Sequence, residues 1–139
     1  MADSDPDCIF CKIVAGELPA TIVAEDERTI AFMDINPAAD GHLLVVPRAH
    51  SRDVLAVGAE DLAACAQMAQ RMGERVKDVL GCSGFNLLNC CGADAWQTVF
   101  HVHFHVIPRN AGDPLRLPWD PRPGDPARVA AVGARLRSA

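Results

Sequence analysis

A chain of 139 residues, half of them hydrophobic, is long enough for one domain with a real core. Its formal net charge of −5 argues against a protein that grips a nucleic-acid backbone, yet leaves room for a small phosphate-bearing ligand. No apolar run reaches the length of a membrane span, and the acidic start at residues 1–7 lacks the basic-then-apolar layout of a signal peptide, so the expected location is the cytoplasm, with no membrane partner.

Six cysteines in that reducing compartment point to metal binding or core packing before disulfides. The chain shows no internal repeat. Its expected organisation is a flexible start at 1–7, one domain at 8–110, and a proline-rich extension with a terminal helix at 111–139.

Cys8-Ile9-Phe10-Cys11 leads into a short helical turn closed by Gly16 and stopped before Pro19. The Cys-x-x-Cys pair can be read as a redox pair, as half of a zinc site, or as two buried thiols. Two strand-like runs follow, at 20–25 and 29–34, joined by a charged turn. Asp34 ends the second run. Such an aspartate satisfies local backbone donors ahead of Asn36-Pro37, or else accepts from a ligand's hydroxyl pair.

Residues 42–47, His-Leu-Leu-Val-Val-Pro, read as a central strand opened by His42 and followed by His50. Residues 58–80 form the one long helix, with apolar side chains at three- and four-residue steps from Leu62 to Val79 and Gly81 as terminator. A fourth strand is expected at 85–89. The loop from Cys90 to Thr98 is then delivered to Phe100-His-Val-His-Phe-His-Val-Ile-Pro108.

In that last run His101, His103 and His105 alternate with Val102, Phe104 and Val106, which is a strand pattern with three imidazoles on one face. An exposed polar face would be better served by Thr, Lys or Glu. A three-histidine metal site and nucleophilic catalysis at phosphorus are the two chemical readings, and spacing does not separate them. The small, polar loop beside the histidines, with Asn89 and Thr98, suits an anion. Residues 108–126 hold six prolines and read as an extended segment, before a last helix capped by Asp125 with Pro126 in its first turn.

The run His101–Ile107 resembles the signature His-φ-His-φ-His-φ-φ of the histidine triad (HIT) superfamily of nucleotide hydrolases and transferases. The likeness extends through Ile9-Phe10-Cys11-Lys12-Ile13-Val14, Phe32-Met33-Asp34-Ile35, Gly41 to Pro47 and Arg48-Ala49-His50. In that order the segments resemble the Hint-type branch, in its bacterial form with a zinc site, over about residues 8–110. The resemblance implies an α+β fold: an antiparallel meander of about five strands with the long helix packed on it, a short C-terminal helix, and a homodimer.

It also implies a covalent mechanism. His103 would attack the α-phosphate of a purine nucleoside 5′-phosphoramidate or related nucleotide ester, forming a nucleotidyl-histidine that water cleaves. His105 would hold phosphate oxygens and His42 would orient the site. Asn89, Gln97 and Thr98 would bind phosphate, and Asp34 the ribose. Ile9, Phe10, Ile13, Phe32 and Ile35 would line the slot for the base of an AMP-like nucleotide. By the same resemblance Cys8, Cys11, His50 and His101 would close around a structural Zn2+. Alternatives within the superfamily are a dinucleoside polyphosphate hydrolase and a nucleotide-binding regulatory protein.

Two departures stand out. Trp96 occupies the place where relatives carry glycine, before Gln97. The interval from Asn89 to His101 is one residue longer than in some relatives, which leaves Cys90 and Cys91 as alternatives to Asn89. Trp119 resembles a C-terminal tryptophan that reaches the partner's site in some dimeric relatives.

Overall fold

The structure is a computed structural model that describes residues 3–139. Helix α1 (Ile9–Val14) precedes a hairpin of β1 (Ile22–Glu25) and β2 (Thr29–Met33), followed by β3 (Leu43–Pro47). The long helix α2 (Ala59–Leu80) leads to β4 (Gly84–Leu88), a 3-10 turn at Ala93–Ala95, β5 (Phe104–Arg109) and α3 (Pro126–Arg137). The five strands form one antiparallel sheet in the order β1-β2-β3-β5-β4. This is the expected α+β meander.

Strand alternation splits the sheet into two apolar faces. Ala31, Leu43, Val45 and Val106 face α2, whose Cys65, Met68, Ala69, Met72 and Val76 supply the helical stripe. Ile30, Phe32, Leu44 and Val46 face the other way and pack against Cys8, Phe10 and Cys11. Each large side chain buried in these layers is worth about 1.5–3 kcal/mol relative to exposure. Helix α2 begins with Glu60 and Asp61, which bind Arg28 at 2.6 and 2.7 Å, and ends on left-handed Gly81.

The periodicity at 100–108 predicts a longer strand than the structure has. His101 and Val102 precede β5 because β3 pairs with β5 only from Leu43↔Val106 to Val45↔Phe104. Beyond that point Val102 N–H donates to the Ser51 carbonyl, and the His101 ring bonds the Pro47 carbonyl. A side chain thus takes the place of a ladder bond. The three imidazoles still share the face that packs on α1.

At the amino end, His50 N–H donates to the Asp3 carbonyl and Asp5 N–H points at the Cys11 sulfur. The first two residues of the expected flexible start lie outside the described residues. At the other end, Asp113 accepts two bonds from Arg109 at 2.8 Å and two backbone N–H groups, from Asn110 and Leu115, which hold its carboxyl well below the usual range. The chain then runs to α3, capped by Asp125, with no residue of α3 buried. Among the described residues no helix is long and apolar enough to cross a membrane.

Candidate active site and metal centre

A cleft of about 530 Å³ opens on the α1 face of the sheet. Ile9, Phe10 and Ile13 of α1, Phe32 of β2 and the following Asp34 and Ile35 line it, as does Thr98, with His103 and His105. These are the residues expected there. Leu18, Pro19, Ala20, Met33, Asn36, Leu44 and Val99 also line it and were not singled out from sequence. Apolar residues in a short connecting turn look the same whether they form a wall or a core. Ile35 is 90% exposed, at the rim.

Hydrogen bonds assign the tautomer of each triad imidazole. The His103 Nδ1 atom lies 2.7 Å from the His101 carbonyl oxygen, an acceptor only, so Nδ1 carries the hydrogen and Nε2 keeps a bare lone pair. The Phe10 ring meets the His103 ring edge to face at 5.1 Å and seats it. Asn89 donates from its amide to the His103 carbonyl at 2.9 Å and so pins the backbone that bears the imidazole.

A second chain of bonds starts at a backbone amide. Ala38 N–H donates to His42 Nδ1 at 2.9 Å, so the His42 hydrogen sits on Nε2 and is donated to His105 Nδ1 at 2.9 Å. His105 then carries its own hydrogen on Nε2. The Asp34 carboxylate lies 3.4 Å from His42 Nε2, and its other oxygen accepts from Asn36 N–H at 2.8 Å. Asp34 is therefore both a turn residue and a wall of the cleft. The trio Asp34, His42 and His105 has the residue types of a metal site. The Ala38 bond excludes His42 from such a role, since its Nε2 lone pair is protonated.

Burial lowers the basicity of all these rings. His103 falls below its ordinary value because desolvation outweighs the His101 carbonyl and Asp34, which favour the charged form. His105 falls to about 4, through desolvation and then its neighbours His103 and His42. His42 is lowered by desolvation against the pull of Asp34. At neutral pH the site holds uncharged imidazoles.

Gln97, expected at the phosphate, is buried, accepting from Gly92 N–H and donating to the Arg52 and Val99 carbonyls at 2.8 and 3.1 Å. Its polar atoms are spent on holding the loop. Asn89 likewise does not line the cleft; the bond to the His103 carbonyl is its observed contact.

The Cys-x-x-Cys pair resolves differently from the triad. His101 Nε2 donates to the Pro47 carbonyl at 2.8 Å, leaving Nδ1 bare and 3.5 Å from both the Cys8 and Cys11 sulfurs. His50 Nδ1 lies 3.4 Å from the Cys11 sulfur. Tetrahedral zinc with Zn–S and Zn–N bonds of its usual length needs N···S edges of roughly 3.5 Å. These donors fit. Cys11 N–H and Asp5 N–H point at the two sulfurs, and Asp5 lies 4.0 Å from His50 Nε2, the outer partner a ligating imidazole takes. Burial raises the Cys8 thiol, so that sulfur stays protonated until a cation replaces its hydrogen.

Residues 15–112 match the family model described as the HIT domain. A Schizosaccharomyces pombe protein named adenosine 5′-monophosphoramidase is 36% identical over 132 residues, covering 94% of this chain and 96% of that one. A Streptococcus mutans protein of known crystal structure superposes with a TM-score of 0.91 at 34% identity, covering 99% of this chain and 88% of that chain. A zinc-bound histidine triad family protein from Mycobacterium smegmatis gives 0.77 at 38% identity, over 95% and 96% of the two chains. The chain belongs to the HIT family.

Proposed function

We propose that the protein is a nucleotide hydrolase that cleaves purine nucleoside 5′-phosphoramidates, or related nucleotide esters, through a nucleotidyl group on His103. The observation that carries this reading is the bare Nε2 of a buried, uncharged His103 facing a cleft, with its Nδ1 hydrogen on the His101 carbonyl. A neutral imidazole is a competent nucleophile at neutral pH without a separate base. The name of the S. pombe relative supports the substrate class.

In the first step His103 Nε2 forms a bond to the α-phosphorus and the bond to the leaving nitrogen breaks. The amine takes a proton from solvent at the cleft mouth. Positive charge develops on the His103 ring, where the Nδ1–H···O=C bond to His101 strengthens and stabilises it. His105 Nε2–H and the Thr98 hydroxyl bind phosphate oxygens. In the second step water attacks phosphorus, the P–N bond to His103 breaks, and the nucleoside 5′-monophosphate departs. The apolar wall of Ile9, Phe10, Ile13 and Phe32 takes the base, and Asp34 the ribose hydroxyls.

Cys8, Cys11, His50 and His101 would hold a structural Zn2+, which ties the amino-terminal turn to the sheet. Residues 8–110 form the catalytic domain in this reading, with 111–139 appended. A homodimer belongs to it as well, and edge strand β4, with Leu87 and Leu88 partly exposed, supports that. The test is release of AMP from adenosine 5′-phosphoramidate by wild type and by His103→Ala. Turnover by wild type alone is expected. Equal turnover by both would sink the assignment of His103.

A further inference from the structure

Among the described residues, the main chain of residues 5–18 forms no hydrogen bond to the rest of the protein; its bonds all close within the segment. Main-chain bonds fix only the two flanks, from His50 N–H to the Asp3 carbonyl and from Met33 N–H to the Thr21 carbonyl. The hydrogen bonds that leave the segment are three sulfur–imidazole contacts. Cys8 and Cys11 lie 3.5 Å from His101 Nδ1, and Cys11 lies 3.4 Å from His50 Nδ1.

The centre of this segment is α1, six residues long and capped by the Cys8 sulfur, a weak acceptor, on Cys11 N–H. Isolated helices below about 12–15 residues are marginal in water, so α1 is ordered by what it packs against. It serves two places at once. Cys8 and Cys11 reach the imidazoles of His50 and His101, while Ile9, Phe10 and Ile13, with Leu18 beyond the helix, line the cleft. Phe10 stands between the two sets. Its ring meets Phe32 at 5.4 Å and His103 at 5.1 Å on the cleft side, and His101 at 5.9 Å on the side of the cysteines. A ligand in either place therefore needs α1 in the same position.

We propose that the Cys2His2 centre regulates nucleotide binding: Zn2+ on Cys8, Cys11, His50 and His101 and a nucleotide in the cleft each order α1, so each raises the other's affinity. This rests on the nucleotide and zinc readings above and names a regulation of that site. The basis is a shared ordering cost. Whichever ligand binds first fixes the segment, and the second meets a wall that is already formed. Thermodynamic linkage makes the effect reciprocal, with one factor for both ligands. The polar end of the cleft, at Thr98 and His105, belongs to other parts of the chain, so the effect falls on the apolar wall that takes the base.

The experiment uses the full chain, stripped of metal by a chelator or loaded with one equivalent of Zn2+, and measures the Kd of AMP by calorimetry. Deuterium uptake by peptides covering residues 9–14 and by those covering β2 and β3 is followed in both forms, with and without AMP. Zn2+ should lower the Kd of AMP by about fivefold or more, and AMP should tighten Zn2+ binding by the same factor. Either ligand alone should slow exchange at residues 9–14, while β2 and β3 exchange slowly throughout. An AMP Kd that is equal in the two forms overturns this proposal alone. Fast exchange in β2 and β3 of the metal-free protein also overturns it, since the metal would then order the whole domain. AMP binding to neither form overturns it together with the nucleotide reading, and failure to take up Zn2+ overturns it together with the zinc reading.

Discussion

The carbonyl oxygen of His101 accepts the Nδ1 hydrogen of His103 at 2.7 Å, while the His101 ring faces the Cys8 and Cys11 sulfurs. One residue therefore joins two centres, with its backbone on the proposed nucleophile and its side chain among the proposed metal ligands. The aim of His103 depends on a short run of main chain whose far end is fixed by Asn89 and whose near end is fixed by His101 and Pro47.

Asn89→Ala removes the amide that holds the His103 carbonyl. The imidazole then loses one of its two backbone restraints, and small misplacement of a reacting group is costly. A fall in kcat of about tenfold to a hundredfold is expected, with little change in KM, since Asn89 does not line the cleft. Steady-state kinetics on the phosphoramidate decide it. A change in KM alone would return Asn89 to ligand binding.

Acid should act on activity and stability in separable ways. With His103 below its ordinary value of 6.5, the acid limb of kcat/KM should fall below pH 6.5. In the metal-free protein, His101 and His105 titrate near 4 when folded but at 6.5 when unfolded. The unfolded chain then binds more protons between those values. Stability is full above pH 6.5 and falls as pH drops toward 4, by about 1.4 kcal/mol per pH unit for each histidine. Urea titrations at pH 7 and pH 5 measure this; equal midpoints would contradict it.

Gly41→Ala tests the turn that delivers His42. Gly41 sits at φ 90°, and an added Cβ would lie 2.3 Å from Leu80 Cδ1 and 3.1 Å from Pro108. Backbone strain and overpacking together should cost about 2–4 kcal/mol, and displacement of His42 should lower kcat as well. Chemical denaturation with parallel kinetics checks both effects. A variant as stable and active as wild type would show that the loop relaxes freely.

Zinc should bind one ion per chain in protein purified without chelator, as counted by elemental analysis. Cys11→Ser removes the sulfur that lies within 3.5 Å of both His50 and His101 and should abolish that binding. It should also lower the melting temperature, because metal binding is folding free energy here. Stoichiometric zinc in the variant would contradict the Cys2His2 assignment.

Much of this was legible in residues whose periodicity or spacing is enforced by packing. The alternation at 101–106 and the stripe along α2 mark which face each side chain takes, because a sheet buried on both sides and a helix packed on one leave no freedom there. The Cys8, Cys11, His50 and His101 set came from the family likeness, and the structure brings all four together. What sequence could not reach runs through the backbone. The tautomer of His42 is written by the Ala38 amide, and that of His103 by the His101 carbonyl, and neither leaves a side-chain signature. Gln97 is a related case: a polar residue in a small, polar loop reads as a ligand contact, and sequence does not show that its amide closes the loop on Arg52 and Val99.

The central claim is a covalent bond between His103 Nε2 and the α-phosphorus. Its most direct test is intact-mass spectrometry of wild type mixed with adenosine 5′-phosphoramidate and quenched quickly without acid, followed by peptide mapping. The account predicts a nucleotidyl adduct on His103 that forms within one turnover and disappears as AMP accumulates. AMP release with no adduct at any time, or an adduct on His105 instead, would contradict it.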